Sequence, residues 1–115
     1  MIKIGVDAMG GDFAPKEQIL GAMMAIKKID DIEINLYGDQ DIISKYLTDS
    51  TRINVIDAKY VIPMGEKNPI QAIKTHKDSS MAMALSSLRN DENDAVVSSG
   101  ATQALIAGAH ILVRR

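Results

Sequence analysis

The sequence of 115 residues contains no cysteine and no tryptophan, and aromatic residues make up only 3% of it. Without cysteine, disulfides and thiolate metal sites are excluded. The low aromatic content leaves few side chains on which nucleic-acid bases could stack. The net charge of -2 also provides no basic surface. The sequence therefore predicts no nucleic-acid partner, and it suits a reducing compartment.

Long apolar runs are also missing. The most apolar stretch is ALIAGAHILV, residues 104–113, which is far shorter than the roughly 18 residues that a membrane span needs. The opening run is too short for a signal peptide and soon reaches Asp7. Hydrophobic residues make up 46% of the chain and charged residues 24%. This balance is typical of an ordinary globular domain without a membrane span.

Hydrophobic patterning predicts alternating strands and helices. Strands are expected at residues 2–6, 32–37, 52–58 and 94–100, where the runs are short and rich in β-branched residues. Helices are expected at residues 14–29, within 38–47, from Pro69, from about Asp78 to 91, and over 101–115. This alternation predicts a three-layer α/β/α fold with a mostly parallel sheet.

Several single residues refine these helices. Asp39 is a candidate N-cap for the second helix. Gly21, inside the first helix, indicates either close packing against the sheet or a tolerated glycine. Arg114 and Arg115 lie at the end of the last helix, where positive charge is favoured. The two histidines, His76 and His110, are isolated, and His110 sits in an apolar helix, which favours a structural role.

Ligands of parallel sheets bind beyond the carboxyl ends of the strands. Three segments follow strands and lead into helices, namely DAMGGD, YGDQD and SSGATQA, and HKDSS adds Lys77 as a cation at another helix start. Glycine-loop and helix-start N–H groups can hold an anion without a basic side chain. We therefore predict a phosphate or carboxylate site formed by Asp7, Gly10, Gly11, Asp12, Lys77, Ser79, Ser80, Ser98, Ser99, Gly100 and Thr102.

The two aspartates of this set fit an anion site poorly, because a carboxylate repels a phosphate dianion. We interpret Asp7 and Asp12 as loop organisers that accept backbone N–H bonds or fix a cation. Each assignment also has a simpler alternative. The glycines could only form a turn, Asp12 could only cap the next helix, the paired serines could only be first-turn residues, and Lys77 could be solvated. The sequence has neither GxGxxG nor a Walker lysine motif, and it predicts no metal and no cofactor.

The segments VDAMGGDFAP, HKDSSM and DAVVSSGATQALIAG resemble, in order and spacing, the phosphate acyltransferases of bacterial phospholipid synthesis. The resemblance covers the whole chain. It implies transfer of a fatty acyl group from acyl carrier protein to inorganic phosphate, giving acyl phosphate. It also implies a fold similar to the isocitrate/isopropylmalate dehydrogenases, with the active site in a cleft between two lobes. A homodimer in the cytoplasm, close to the membrane surface, is a further implication.

The sequence departs from this family pattern in three respects. Phe13 stands where the family usually has histidine, and Ala101 and Gln103 replace an asparagine and a glycine of the last loop. Family members are also much longer. We therefore expect residues 1–115 to form the N-terminal α/β part of a two-lobe enzyme and to be inactive alone. The alternatives are a non-catalytic module that binds a small molecule or nucleotide, and an inactive structural fragment.

Overall fold

A computed structural model describes residues 1–114 and contains a four-stranded, all-parallel sheet. The strands β1 (Ile2–Asp7), β2 (Ile32–Gly38), β3 (Ile53–Asp57) and β4 (Ala95–Val97) lie in the order β3-β2-β1-β4. In the register of β1 with its two neighbours, Ile4 lies between Ile34 of β2 and Ala95 of β4. The predicted fold class is confirmed, whereas the specific similarity to the dehydrogenases stays a prediction.

Five α-helices connect or follow these strands within the described residues. They are α1 (Lys16–Lys28), α2 (Gln40–Ile43), α3 (Pro69–Thr75), α4 (Ser80–Arg89) and α5 (Thr102–Gly108), and a π-helix (Ala109–Val113) continues α5. The second helix and the fourth strand are shorter than the sequence predicts. The predicted last helix changes to π geometry after Gly108, and the prediction for Arg115 lies outside the described residues.

One hydrophobic core lies between the sheet and α1. Alternation along a strand sends every second side chain to the same face, and in β2 these are the buried Ile32, Ile34 and Leu36. They meet the buried Ile19 and Ile26 of α1. The side of α1 that carries these two isoleucines therefore faces the sheet. Gly21 is exposed, and an added Cβ would meet no atom within 4 Å, so close packing is wrong and the alternative of a tolerated glycine is confirmed.

A second core lies on the opposite face of the sheet. It includes Met81 and Leu85 of α4, Ile73 of α3 and Ala104 of α5. The helix α4 packs against β1 and β2. The three layers are therefore α1, the sheet, and the group of α3, α4 and α5.

Polar side chains anchor α4 to this second face. The buried Asn93 donates from Nδ2 to the Tyr37 hydroxyl at 2.8 Å and to Ser87 Oγ at 2.7 Å, and its Oδ1 accepts from Asn35 Nδ2 at 2.7 Å. Buried polar groups are costly unless they are hydrogen-bonded. The network therefore fixes α4 relative to β2 and the start of β4.

Arg52, just before β3, organises the connection from α1 to β2. Its guanidinium donates to four backbone carbonyls at 2.7–3.1 Å, those of Ile26, Ile29, Asp30 and Ile32. Carbonyls at the end of a helix lack intrahelical partners. Arg52 therefore stabilises both the end of α1 and the turn that follows it.

No helix within residues 1–114 is long and apolar enough to cross a lipid bilayer.

Candidate functional site

The carboxyl end of β1 holds a buried aspartate. Asp7 is only 1% exposed, and its Oδ1 accepts hydrogen bonds from Ser80 Oγ at 2.6 Å and from the Met9 backbone N–H at 3.2 Å. Its Oδ2 accepts from Ser98 Oγ at 2.9 Å. One carboxylate therefore joins three segments that lie up to 91 residues apart in sequence.

Two loops meet beside this carboxylate, and we call them the first glycine loop (residues 8–13) and the second glycine loop (residues 98–101). A Cβ added to Gly10 would lie 2.8 Å from Gly100 Cα and 2.9 Å from Gly100 N. Real Cβ atoms do not approach backbone so closely. The predicted convergence of the two loops is confirmed, and glycine is required at position 10 for their contact.

The first loop also needs glycine at its next position. Gly11 has φ +119°, which side-chain-bearing residues rarely adopt. Gln18 of α1 holds the adjoining carbonyl, because its Nε2 donates to Gly10 O at 2.7 Å. Its Oε1 is buried without a hydrogen-bond partner. Sequence reasoning missed Gln18, since neither its spacing nor its type distinguishes it from a surface residue of a helix.

The predicted hydroxyl groups fall into two sets. Ser79 and Ser80 are buried, and Ser79 Oγ is the N-cap of α4, accepting from the Ala82 N–H at 3.1 Å. The half-buried Ser98 also accepts from the Gly100 N–H at 3.1 Å. Ser99 and Thr102 are exposed. The inner hydroxyls therefore take part in internal hydrogen bonds, and the outer two face solvent.

The structure places the predicted cation away from the two glycine loops. Lys77 is exposed and lines a groove between α4 and the π-helix, together with Asn90 and Arg114. Asp12 is exposed in the first glycine loop. The alternative that Asp12 caps α1 is wrong, because Pro15 occupies the N-cap position. The polar groups beside Asp7 are therefore loop N–H groups and hydroxyls.

A second polar cluster occupies the carboxyl ends of β2 and β3. Lys59 Nζ lies 3.4 Å from Asp39 Oδ1, 3.5 Å from Asp57 Oδ1 and 3.6 Å from Asp41 Oδ2. Asp39 is also the N-cap of α2, as the sequence predicts, and accepts from the Asp41 and Ile42 N–H groups. The segment IDAKY after the third strand could have indicated this cluster, because the strand-end rule applies to it equally.

Charge and hydrogen bonding shift two pKa values in this cluster. Loss of hydration raises the pKa of the Asp39 carboxyl, but hydrogen bonds from Ile42, Asp41 and Lys59 outweigh it, and the pKa lies below its ordinary value. Loss of hydration lowers the pKa of Lys59, but the neighbouring carboxylates outweigh it and raise the pKa. Both groups are therefore held in their charged forms.

Among residues 1–114, no group of three or more His, Cys, Asp or Glu side chains is arranged to hold a metal ion.

Sequence comparison places this site in context. Residues 2–115 match the family described as "Fatty acid synthesis protein". Proteins named phosphate acyltransferase are similar over nearly the whole chain, with 43% identity in Listeria welshimeri, 40% in Lactococcus lactis subsp. lactis and 41% in Acholeplasma laidlawii. In each case the match covers 99% of this chain and 34% of the relative. The chain therefore spans about a third of the length of these relatives.

Proposed function

The chain belongs to the fatty acid synthesis protein family, and we propose that it binds inorganic phosphate between its two glycine loops as part of an acyltransferase. In this proposal the whole enzyme transfers a fatty acyl group from acyl carrier protein to phosphate and releases acyl phosphate. The names of its relatives support the reaction class, since each is called a phosphate acyltransferase.

The close approach of Gly10 to Gly100 is the observation that carries this proposal. Two stretches of backbone adjoin there without an intervening side chain. Backbone N–H groups can therefore be presented to one anion, and the exposed hydroxyls of Ser99 and Thr102 add donors at the rim. Such a cradle suits phosphate, because it supplies hydrogen-bond donors without requiring a lysine or a metal.

The chemistry asks little of the protein beyond positioning. A phosphate oxygen attacks the thioester carbonyl carbon, an O–C bond forms, the C–S bond breaks, and the thiolate of the carrier leaves and takes up a proton. The reacting atoms must be held about 3–3.5 Å apart, and donors must face the developing oxyanion. In the proposed mechanism this chain holds the phosphate nucleophile and orients one of its oxygens toward the acyl group.

The remaining partners form part of the same proposal. The whole protein takes acyl carrier protein as its donor substrate and works as a homodimer in the cytoplasm. It approaches the membrane surface, because its product carries an apolar chain. Light scattering and co-sedimentation with vesicles, applied to a full-length relative, test the homodimer and the membrane contact.

The central test is a calorimetric titration of the 115-residue chain with inorganic phosphate, against chloride at equal ionic strength. We expect saturable binding and a phosphate-dependent rise in melting temperature. The variant Gly10→Ala should lose both effects, whereas Gly65→Ala, where an added Cβ meets nothing within 4 Å, should keep them. Absence of phosphate binding in the unmodified chain would contradict the proposal.

A second assay separates binding from catalysis. The exposed position of Ser99 and Thr102 leaves the cradle open to water on one side, and water-exposed sites stabilise developing charge weakly. We expect the 115-residue chain alone to form acyl phosphate from an acyl carrier protein donor at less than about a tenth of the rate of a full-length relative. Turnover close to that of the relative would show that these residues suffice for catalysis.

A further inference from the structure

The serines around Asp7 are unequal in what they can offer a ligand. An ionised carboxylate only accepts hydrogen bonds, and a hydroxyl has a single proton to donate. The short contacts to Asp7 therefore use the protons of Ser80 and Ser98. The Ser98 oxygen also receives the Gly100 N–H.

Asp7 itself is poorly placed to touch an anion. It is 1% exposed, and the ideal Cβ positions of Gly10 and Gly100 lie 2.7 and 3.4 Å from its Oδ2. The backbone of both loops therefore lies over the carboxylate. Its bonds run to Ser80 at the start of α4 and to Ser98 at the start of the second glycine loop.

We propose that Asp7 is a positioning residue whose bonds to Ser80 and Ser98 lock the two glycine loops together, so that the exposed Ser99 and Thr102 hydroxyls and the loop N–H groups hold the phosphate. This inference rests on the proposed phosphate site and divides its residues into an inner clasp and an outer binding set. The inner clasp is Asp7, Ser80 and Ser98, and the outer set contains the groups that meet the ligand.

The direction in which Asp7→Asn changes phosphate affinity distinguishes this positioning role from direct contact with the ligand. If Asp7 faced the phosphate, removal of its charge by Asp7→Asn would relieve repulsion and strengthen binding. In the clasp, Asn supplies one acceptor oxygen and one N–H donor in place of two acceptor oxygens, so one serine must give up its donation. We therefore expect Asp7→Asn to weaken phosphate binding about tenfold or more.

A charge-matched control accompanies this variant. Asp31→Asn removes the same charge from an exposed position before β2, at the opposite end of the sheet. It should leave the phosphate dissociation constant unchanged. Binding that is unchanged or stronger in Asp7→Asn would overturn the proposal.

Double-mutant cycles test the bond between Asp7 and Ser98 within the clasp. Ser98→Ala and Asp7→Asn should be strongly non-additive in phosphate affinity, because they break the same bond. Ser99→Ala should weaken phosphate binding with little change in melting temperature, because the Ser99 side chain is exposed. Ser98→Thr, which keeps the hydroxyl, should restore most of the affinity that Ser98→Ala loses. Additive losses for Asp7→Asn and Ser98→Ala would contradict the clasp.

Amide hydrogen exchange provides a readout that does not depend on phosphate. The Gly100 N–H, bonded to Ser98 Oγ, should exchange faster in Asp7→Asn and in Ser80→Ala, together with the N–H groups of the first glycine loop. Ser99→Ala should leave these rates unchanged. If the unmodified chain fails to bind phosphate, the proposed function fails, while this exchange pattern still confirms or refutes the clasp. Unchanged exchange rates of the Gly100 N–H and of the first glycine loop in Asp7→Asn would refute it.

Discussion

At the carboxyl edge of the sheet, the ends of β1 and β4 hold one buried aspartate among serines, whereas the ends of β2 and β3 hold three aspartates around one lysine. Asp7 is 1% exposed and has hydroxyl and N–H donors as partners. The side chain of Lys59 is 56% exposed and has carboxylates as partners. The same edge therefore carries a buried cluster joined by directional hydrogen bonds and an exposed cluster joined by ion pairs.

The difference between the two clusters indicates which of them fixes the shape of the loops. Exposed ion pairs are screened by water and salt and contribute little to stability. Buried hydrogen bonds to a carboxylate are directional, and breaking them leaves polar groups without partners. We therefore expect the shape of the loops to depend on the cluster at β1 and β4, and the cluster at β2 and β3 to adjust local charge.

Substitution of the buried aspartate should give the largest loss. Asp7→Ala leaves the hydroxyls of Ser80 and Ser98 and the Met9 N–H without their acceptor. We expect a loss of about 3 kcal/mol in the free energy of unfolding, measured by urea denaturation. Lys59→Ala, the matched test at the ionic cluster, should change the unfolding midpoint only slightly. Equal losses in the two variants would remove the distinction between the clusters.

Crowding of the loop contact should give the next largest effect. In Gly10→Ala the new Cβ would lie 2.7 Å from Asp7 Oδ2 and 2.8 Å from Gly100 Cα, and this backbone cannot move aside cheaply. Overpacking of this kind costs about 1–3 kcal/mol. Gly65→Ala is the control and should be neutral or slightly stabilising, because nothing lies within 4 Å of its added Cβ. Thermal melts of both variants decide the matter, and similar melting temperatures would contradict the prediction.

Restoration of the family residues should strengthen phosphate binding. The double variant Phe13→His with Ala101→Asn should bind phosphate more tightly than the unmodified chain, because a hydrogen bond to a charged ligand contributes roughly 1.5–3 kcal/mol. Phe13 is 74% exposed, whereas Ala101 is buried in the second core. We therefore expect Phe13→His alone to give most of the gain and Ala101→Asn to lower stability. Phosphate titration of both single variants measures how much of the gain in affinity each substitution gives. An unchanged dissociation constant in Phe13→His would refute the prediction.

Substitution of Lys59 in the ionic cluster should give the smallest effect on stability. The dependence of that effect on pH identifies it as electrostatic. The lowered pKa of Asp39 contributes stability above about pH 3.9, the ordinary value, and this contribution is lost as the pH falls through the lowered pKa. The raised pKa of Lys59 means that its ion pairs stabilise the fold below about pH 10.4, the ordinary value. This stabilisation is lost as the pH rises through the raised pKa.

Denaturation of Lys59→Met and of the unmodified chain across this range tests the effect. The small difference in stability should be present between these two limits, should narrow beyond either of them, and should shrink in high salt. A difference that is independent of both pH and salt would show that packing of the Lys59 stem, and not its charge, is responsible.

The sequence predicts most of the scaffold, because local patterns determine it. The β-branched run of residues 2–6 and the apolar spacing at Ile19 and Ile26 predict β1 and α1 within two residues. The position of Asp39 directly before α2 predicts it as the N-cap of that helix. The position of Gly11 and Gly100 at one edge of the sheet also follows, since all parallel strands end at one edge. These features need only neighbouring residues and a rule of topology.

What the sequence does not predict depends on long-range contacts. The bonds of Asp7 reach 73 and 91 residues along the chain, and no spacing rule selects Ser80 and Ser98 in preference to Ser79 and Ser99. Whether a lysine such as Lys77 points toward or away from a site depends on the packing of the helices around it. The division between inner and outer hydroxyls therefore appears only in three dimensions.

Arg52 has a consequence for the order in which this chain can complete its structure during synthesis. The carbonyls of Ile26, Ile29, Asp30 and Ile32 receive their donor only when residue 52 has left the ribosome. Until then, the end of α1 and the entry to β2 lack the partner that fixes them. The first helix and second strand of a nascent chain should therefore remain loosely joined, and the arrival of β3 should set the angle between them.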